Sequence, residues 1–302
     1  MYDIIIIGGG PAGLTAALYA RRANKSVLVI EKATFGGQIT YSPKVENIPG
    51  FLSLTGNEFA EKLVEQVLEQ GADVEAAEVT ALIDGEVKKV ITDCGEFEGK
   101  SVIIATGAKH RLLGLPNEEN YIGEGISFCA VCDGAFYEDK TVAVIGGGNS
   151  ALQEALLLSD LAKKVYVVQN LDFLTGEEKL SEQLRERENV EIILGTVVKS
   201  LHGDGELTGI TVTEEKSGKD TLLAVDGMFI AIGLVPQNEI FGEVISLDTR
   251  GYAEAGEDCI TSARGIFTAG DCRQKRIRQV TTAAADGACA ALAACDYVDS
   301  LR

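Results

Sequence analysis

Short β-branched runs alternate along the chain with longer segments rich in Ala and Leu. The first run, 4–7, leads into a glycine turn at residues 8–13, and an Ala/Leu segment follows at residues 14–22. A second apolar run, 27–30, ends at Glu31. This order predicts a strand, a glycine turn, a helix, and a second strand that ends in a carboxylate.

The glycine turn has the spacing of a dinucleotide-binding site. Gly8 and Gly10 would let a pyrophosphate approach the backbone, and Gly13 would let the helix pack closely. The N–H groups at the helix N-terminus would bind the anion, and Glu31 would accept hydrogen bonds from a ribose. Glycines also occur in ordinary turns, so the interpretation depends on the flanking strand and helix and on the following acid.

The same unit recurs further along the chain, where aligning Gly8 with Gly146 gives an offset of 138. A strand at 141–145 precedes a second glycine turn at 146–151, and a helix at 152–161 and a strand at 165–168 follow. The chain therefore contains two βαβ units, each typical of a Rossmann-like domain.

Later segments complete this arrangement. Three more predicted strands, at 103–107, 229–233 and 265–269, each run into a glycine. An Ala-rich stretch at 280–297 predicts a buried closing helix. We predict an α/β fold with two Rossmann-like dinucleotide-binding domains of the three-layer ββα type, the second inserted into the first. Pro116 and Pro236 interrupt the pattern near the junctions, which predicts one domain from residues 1–114 and 245–302 and an inserted domain from 115–244.

Composition and charge limit the partners. The chain has 302 residues, 46% apolar and 24% charged, which is typical of an ordered globular protein with two domains. Because its net charge is −19, we predict that it binds neither nucleic acid nor an anionic membrane surface. The N-terminus has no basic region before its short apolar run, and no apolar stretch reaches the ~18 residues of a membrane span, so we expect a cytoplasmic location.

One pair among the seven cysteines, Cys129 and Cys132, has CxxC spacing. With an odd number of cysteines, no export signal and only two His, a disulfide framework or a structural zinc site is not indicated. A CxxC pair can cycle between dithiol and disulfide, so we predict redox activity. Asp133 could transfer the proton that the exchange requires, or it could cap a helix or begin a turn with Gly134.

These motifs, in this order, resemble the low-molecular-weight thioredoxin reductases. The resemblance covers the whole chain and implies a homodimer that contains FAD and passes electrons from the flavin to its own disulfide and on to thioredoxin. The family pattern favours Cys132 as the cysteine that faces the flavin. The motifs on which this resemblance rests are Gly8-x-Gly10-x-x-Gly13, Gly36-Gly37-Gln38, Glu46-Asn47-Ile48-Pro49-Gly50, Ala105-Thr106-Gly107-Ala108, Cys129-Ala130-Val131-Cys132-Asp133-Gly134, Gly146-Gly147-Gly148-Asn149-Ser150-Ala151, Gly270-Asp271 and Arg278-Gln279.

The resemblance also implies which residues bind FAD. It places Gly37 and Gln38 along the flavin and ribityl chain and Asn47 near the isoalloxazine, although Asn47 could equally be a turn residue before Pro49. Asp271 would contact the ribityl or pyrophosphate hydroxyls. The remaining residues implied for the cofactor are Gly107, Arg278, Gln279 and Val280.

The second unit departs from the NADPH-dependent members of the family. Adding 138 to Glu31 gives Gln169, where an NAD site requires a carboxylate, and an NADP site requires Arg nearby. NADPH-dependent members carry a His-Arg-Arg-x-x-x-Arg stretch at the positions that here are Gln169, Asn170, Leu171 and Thr175. Because these basic side chains are absent, we predict that the second unit binds NADPH weakly.

Positive charge is concentrated instead between Asp271 and Gln279, at Arg273, Lys275, Arg276 and Arg278. We interpret this cluster as a docking patch for a small acidic electron carrier; a solvated loop with one Arg that serves FAD is the alternative. Together with the missing basic stretch, the cluster resembles the ferredoxin-dependent flavin thioredoxin reductases, so reduced ferredoxin is the expected donor.

Two other functions remain open. The intact glycine turn at 146–151 is compatible with an NAD(P)H-dependent thioredoxin reductase or a related NAD(P)H flavin-disulfide oxidoreductase. A non-catalytic flavin redox sensor is a minor alternative.

Overall fold

The computed structural model describes residues 1–42 and 44–301. The chain divides into two compact units, one made of Met1–Lys109 and Val235–Arg302 and the other of His110–Leu234. The boundaries predicted after residues 114 and 244 lie further along the chain than these divisions. The chain leaves and re-enters the first unit through short strands that precede Pro116 and contain Pro236. The assignment of separate cofactor roles to the two units stays a prediction.

Among the described residues, the first unit has eight β-strands and α-helices before the chain crosses to the second unit and two more after it returns. Before the crossing these are β1 (Tyr2–Ile7), α1 (Pro11–Arg22), β2 (Val27–Glu31), α2 (Gly56–Glu69), β3 (Asp73–Ala76), β4 (Val79–Ile83), β5 (Lys88–Thr92) and β6 (Glu96–Ile104). The crossing strand is β7 (Ala108–His110).

The second unit contains eleven β-strands and α-helices. They are β8 (Ile126–Ser127), α3 (Ala130–Asp133), β9 (Thr141–Ile145), α4 (Asn149–Ser159), β10 (Lys164–Val168), α5 (Glu178–Arg185), β11 (Val190–Ile193), β12 (Thr196–Asp204), β13 (Glu206–Glu214), β14 (Asp220–Ala224) and β15 (Gly227–Ile230). The chain returns through β16 (Leu234–Pro236), which pairs with β7, and the first unit ends with β17 (Ile266–Thr268) and α6 (Val280–Asp299).

The sheet of the first unit has seven strands in the order β3-β2-β1-β6-β5-β4, with β17 on β6. Strands β1, β2, β3, β6 and β17 are parallel, whereas β4 and β5 are antiparallel. Side chains of β1 alternate between two cores: Ile4 and Ile6 pack with α1 and α6 residues, while Ile5 and Ile7 pack on the opposite face. Both faces are buried, which explains the unbroken β-branched run in the sequence.

The second unit repeats the parallel arrangement. Its five-stranded sheet has the order β11-β10-β9-β15-β8, and all four pairs are parallel. Val142 and Val144 pack with α4 on one face, and Ala143 and Ile145 pack with residues of the antiparallel β12-β13-β14 sheet on the other. This antiparallel sheet is an element that the sequence analysis did not identify.

The fold prediction is confirmed, since both units are α/β and each contains a parallel strand, a glycine turn and a helix in succession, from β1 to α1 and from β9 to α4. Two helices begin earlier than predicted: α1 at Pro11 rather than Leu14, and α4 at Asn149 rather than Leu152. In the described part of the chain, no helix is long and apolar enough to cross a membrane. Nor do residues 1–42 and 44–301 bring together three His, Cys, Asp or Glu side chains that could hold a metal ion.

Candidate functional site

The first glycine turn has the geometry that close backbone packing requires. Gly8 follows β1 with φ of +113°, and a Cβ atom there would overlap the carbonyl oxygen of Ala105. A Cβ atom at Gly13 would overlap the carbonyl oxygen of Gly8, so only glycine lets α1 begin this close to the turn. At Gly10, by contrast, the nearest atom to an added Cβ is the Gly36 oxygen at 3.9 Å. Gly10 therefore lines an open space at the helix N-terminus.

That N-terminus can receive an anion. The residue before the first turn of α1 is Gly10, which provides no side-chain cap, so backbone N–H groups of the first turn have no side-chain acceptor there. Glu31 lies beside the turn, where its Oε2 accepts from Gly9 N at 2.7 Å and its Oε1 from Ala33 N at 2.9 Å. An ionised carboxylate has about four acceptor positions, so Glu31 retains capacity for a ribose hydroxyl.

Other residues predicted for the cofactor lie in the same unit. Gly37, with φ of +64°, places its Cβ position 3.2 Å from Gly10 Cα, and Gln38 Nε2 donates to the carbonyl oxygen of Ala108. Gly107 follows β6 with φ of +69° and has open space around its Cβ position. These three residues join the turn of Gly8, Gly10 and Gly13 in one unit, although their roles stay predictions.

Residues from two distant segments meet at the start of α6. Asn47 Nδ2 donates to Gln279 Oε1 at 3.2 Å, so two residues predicted to lie near the flavin are in contact. Val280 packs against a small apolar cluster that includes Val45 and Ile48. The structure thus brings the Asn47 segment and the Gln279 segment to one place.

Two buried polar atoms in this unit have no hydrogen-bond partner among the described residues. They are Oδ1 of Asp271 and Nε of Arg278. Burial raises the pKa of Asp271 against the opposing effect of Lys275 and Arg278. The Arg278 guanidinium lies over the Tyr252 ring, 4.5 Å from its centroid. Buried polar atoms without partners are costly, so both fit a site that a polar ligand completes.

The loop at 271–279 does not present the predicted docking patch. Arg273 is buried at 7% exposure, and its Nε and Nη2 donate to Asp286 at 2.8 and 2.7 Å. Lys275 also donates to Asp286, at 2.9 Å, and its side chain is 7% exposed. Arg276 remains exposed. The patch hypothesis is wrong because the acid that neutralises these cations lies on α6, which the local sequence does not reveal.

The second glycine turn closely repeats the first. Gly146 follows β9 with φ of +129°, and its Cβ position lies 2.6 Å from the Ala231 oxygen. Gly148 precedes α4 without a side-chain cap. Backbone N–H groups of Thr175 and Gly176 donate to the Gly147 oxygen at 2.8 and 2.9 Å, as Gly36 N donates to the Gly9 oxygen at 2.7 Å. The N-terminus of α4 is therefore uncapped like that of α1, and it begins with the N–H of Asn149 where α1 begins with Pro11, which has none.

Side chains around the second turn differ from those around the first. Gln169 is buried at 5% exposure beside Gly147, and its Nε2 donates to the Phe173 oxygen at 3.4 Å. Asn170 and Leu171 are exposed. Asp172, in the loop that follows β10, is paired at 2.6 Å with Lys216, which lies between β13 and β14. The turn keeps its shape but has an amide where the first unit has a carboxylate.

The cysteine pair lies in the second unit, next to α3. Cys129 and Cys132 form a disulfide with their Cα atoms 5.3 Å apart, and both residues are half-buried. Cys129 occupies the position before the helix, and the Cys132 N–H donates to its sulfur at 3.2 Å. The other five cysteines are free thiols: Cys94 and Cys289 are exposed, and Cys259, Cys272 and Cys295 are buried.

Asp133 is the acid beside this disulfide. Burial raises the pKa of its carboxyl group, and the hydrogen bond from Ser127 Oγ, 2.6 Å from Oδ2, opposes that rise. Oδ1 is buried and has no hydrogen-bond partner in the described residues. Sequence reasoning did not identify Ser127, since a serine two residues before a cysteine has no distinctive pattern.

Comparisons with known proteins give the family. Residues 2–287 match the sequence pattern described as Pyridine nucleotide-disulphide oxidoreductase. The chain belongs to this family. A protein named thioredoxin reductase from Listeria monocytogenes serovar 1/2a is 40% identical over 304 aligned residues, covering 100% of this chain and 95% of that protein. Another of that name, from Bacillus subtilis, is 39% identical, covering 100% of this chain and 96% of that protein.

A solved structure gives the same result. The crystal structure of thioredoxin reductase from Streptococcus pyogenes MGAS5005 is 41% identical in sequence, with a TM-score of 0.93 and coverage of 99% of both chains. The chain is thus a disulfide oxidoreductase of the thioredoxin reductase type, and FAD is its cofactor. Three features fit this cofactor: the uncapped N-terminus of α1, the open space at Gly10, and the Asp271 and Arg278 atoms that have no hydrogen-bond partner among the described residues.

Proposed function

We propose that this protein reduces the disulfide of thioredoxin through its own Cys129–Cys132 pair. The observation that carries the proposal is this half-buried disulfide, next to an acid, Asp133, whose pKa is raised by burial. When bound, FAD supplies the electron pair that reduces a disulfide. Thioredoxin is the partner that the names of the relatives suggest. A homodimer, as the family resemblance implies, is part of the same proposal.

The residues of the second unit divide the chemistry between them. Conversion of the Cys129–Cys132 disulfide to two thiols takes two electrons and two protons, and Asp133 supplies one proton to a sulfur as that sulfur leaves. One cysteine then attacks the thioredoxin disulfide as a thiolate and forms a mixed disulfide. The other cysteine resolves it, which restores Cys129–Cys132 and releases thioredoxin as a dithiol. The backbone N–H of Cys132, directed at the Cys129 sulfur, favours negative charge on Cys129.

Replacement of one cysteine tests this function. We expect Cys132→Ser to retain bound flavin and to lose thioredoxin reduction, because no internal disulfide can form. Cys94→Ser is the matched control, since Cys94 is an exposed free thiol in the first unit, and this variant should keep full activity. Thioredoxin reduction by Cys132→Ser at the rate of the unaltered enzyme would refute the proposal.

For the electron donor we propose a carrier other than NADPH, with reduced ferredoxin as the candidate. The support is the loop that follows β10, where Gln169, Asn170, Leu171 and Thr175 replace the basic residues that would bind a nucleotide phosphate. The loop at 271–279 no longer supports a docking site, because three of its four cations are buried or stacked. A donor that delivers one electron at a time would require a bound flavin that stays stable after it has accepted the first of its two electrons.

Anaerobic mixing of the flavin-loaded enzyme with NADPH, NADH and reduced ferredoxin in parallel distinguishes the donors. We expect ferredoxin to bleach the flavin rapidly and NADPH to do so slowly or not at all. Bleaching within seconds at micromolar NADPH would favour the second candidate, an NAD(P)H-dependent thioredoxin reductase. That candidate has its own support, because the turn at Gly146 and Gly148 keeps the backbone geometry of the first unit.

A further inference from the structure

Ser127 connects the two parts of the redox motif through one hydroxyl group. It is the last residue of β8, pairs in register with Phe229 of β15, and is buried at 6% exposure. Its Oγ donates to Asp133 Oδ2 at 2.6 Å and accepts from the Cys129 backbone N–H at 3.2 Å. A rigid strand end thus holds both the acid and the backbone of the first cysteine.

The donor and acceptor capacity of that hydroxyl sets the roles of the two carboxyl oxygens. A serine hydroxyl has one hydrogen to donate. Because the Cys129 N–H approaches Ser127 Oγ as a donor, the hydroxyl hydrogen is directed to Asp133 Oδ2. The other oxygen, Oδ1, is buried without a hydrogen-bond partner in the described residues. A proton that binds Asp133 therefore has Oδ1 as its free position.

We propose that Ser127 is a positioning residue for Asp133, holding Oδ2 so that the exchangeable proton resides on Oδ1. This inference rests on the proposed function, in which Asp133 gives one proton to a cysteine sulfur. In that step the Asp133 Oδ1–H bond breaks and an S–H bond forms. Asp133 is left as a carboxylate that regains its proton from water. The electrons come from the reduced cofactor, so Ser127 changes no bond itself.

The electrostatics of the site agree with this role. Burial raises the pKa of Asp133, and the Ser127 hydrogen bond opposes that rise because it stabilises the carboxylate. Without the hydroxyl, burial acts unopposed, so the carboxyl group holds its proton to higher pH and gives it up less readily. Removal of Ser127 should therefore change the pH at which Asp133 titrates, and a purely structural residue would not do so.

The test compares four flavin-loaded variants with the unaltered enzyme: Ser127→Ala, Ser127→Thr, Asp133→Asn and the double variant Ser127→Ala/Asp133→Asn. Infrared titration follows the carbonyl band of the protonated carboxyl group, which Asp133→Asn identifies by its loss. We expect Ser127→Ala to move the midpoint of this band to higher pH and to slow thioredoxin reduction about tenfold. Ser127→Thr keeps a hydroxyl group, so it should have the infrared midpoint and the rate of the unaltered enzyme. In the Asp133→Asn background, Ser127→Ala should have no further effect.

Two results would overturn the inference: an unmoved infrared midpoint in Ser127→Ala, or a loss of rate that is equally large with and without Asp133. If Ser127→Ala does not fold, Ser127→Cys replaces it, because its thiol is a weaker donor of similar size and should shift the midpoint in the same direction. The infrared titration needs no thioredoxin. Failure of the unaltered enzyme to reduce thioredoxin would therefore refute the proposed function while the midpoint still decides the role of Ser127.

Discussion

Burial determines the protonation of several single residues in the second unit. Glu154, on α4, has a buried Oε2 atom without a hydrogen-bond partner in the described chain, and burial raises its pKa from 4.5 to about 8. His110 stacks on the Phe128 ring with centroids 4.4 Å apart, and burial lowers its pKa from 6.5 to about 4. At neutral pH both side chains are therefore mainly uncharged, and neither contributes to the charge around the disulfide.

The raised pKa of Glu154 predicts that stability decreases as pH rises from 4.5 to about 8. The folded state keeps the Glu154 proton up to about pH 8, whereas the unfolded state releases it near pH 4.5, so the free energy of unfolding decreases as pH rises through this window. Glu154→Gln should remove this decrease and stabilise the protein on the order of 3 kcal/mol at pH 8. Denaturant unfolding at pH 5 and pH 8 measures the difference.

The control for Glu154→Gln is Glu182→Gln, which removes an exposed carboxylate from α5 of the same unit. We expect it to change the free energy of unfolding by less than about 0.5 kcal/mol at either pH. An equal response of the two variants would show that Glu154 is not buried as a neutral acid.

Two exposed residues of the second unit should decide its response to NADPH. Asn170→Arg combined with Leu171→Arg adds two cations to a loop that now has neutral side chains at these positions. Each charge-assisted hydrogen bond to a phosphate contributes about 1.5–3 kcal/mol, so NADPH affinity should rise at least about tenfold. Titration calorimetry measures it, and NADH, which lacks the extra phosphate, is the internal control. Unchanged NADPH affinity would contradict this explanation of the missing basic residues.

The residues of the site differ in how far the sequence could predict them. The disulfide pair could be predicted because its two cysteines are near neighbours in the chain, and Gln169 could be found through the internal repeat. Ser127 and the Arg273–Asp286 ion pair could not, since each depends on side chains that only the folded chain brings together. For this reason, the charges counted along the loop at 271–279 predicted an exposed basic docking patch that the folded chain does not have.

Among the glycines that join the secondary-structure elements, some are required for packing and others leave space for a ligand. Gly13 and Gly287 allow close contact between backbones, because a Cβ atom at either would overlap a carbonyl oxygen, of Gly8 and Ala12 respectively. Gly10 has an ordinary φ of −78° and open space at its Cβ position. Only the cofactor would require a glycine at position 10.

This difference predicts opposite phenotypes for two alanine substitutions. Gly10→Ala should leave the stability of the flavin-free protein within about 1 kcal/mol of the original and weaken FAD binding at least about tenfold, because the methyl group enters the space that the pyrophosphate would approach. Gly13→Ala should lower stability by about 1–3 kcal/mol or more even without flavin. Thermal unfolding of the apoprotein and FAD titration measure the two effects. Full FAD affinity in Gly10→Ala would remove the cofactor from this turn.

The elements themselves were predicted to different depths. Parallel strands such as β1 and β9 could be recognised because burial on both faces produces continuous β-branched runs. Helix starts were placed late at α1 and α4, since apolar periodicity begins only after the first helical turn. The β12-β13-β14 sheet has mixed polar and apolar positions with most of one face exposed, which gives a weaker signal.

For the whole molecule, negative charge governs encounters with other proteins. The net charge of −19 opposes the approach of an acidic electron carrier, and the loop at 271–279 does not offset it locally because Arg273 and Lys275 are neutralised within the fold. Such repulsion acts over a Debye length of about 10 Å at 0.1 M salt and weakens as salt is added.

If reduced ferredoxin is the electron donor, as proposed, its reaction with this protein should become faster as ionic strength rises. Stopped-flow measurement of flavin reduction between low and moderate salt should show an increase of about severalfold or more. Arg276→Gln, which removes an exposed cation of the loop, should change the rate little. A rate that falls with salt would instead indicate a basic docking surface elsewhere on the protein.

The enclosed cations have one more consequence for how this molecule behaves in solution. Lys25, Lys88 and Arg273 are each less than 10% exposed, so part of the small complement of basic side chains is withdrawn from water. Two acids, Glu118 and Asp286, are enclosed to the same degree, so the surface keeps close to the full net charge of −19. We expect late elution from an anion-exchange column, a strong tendency to collect counterions such as polyamines, and little adhesion to RNA during purification.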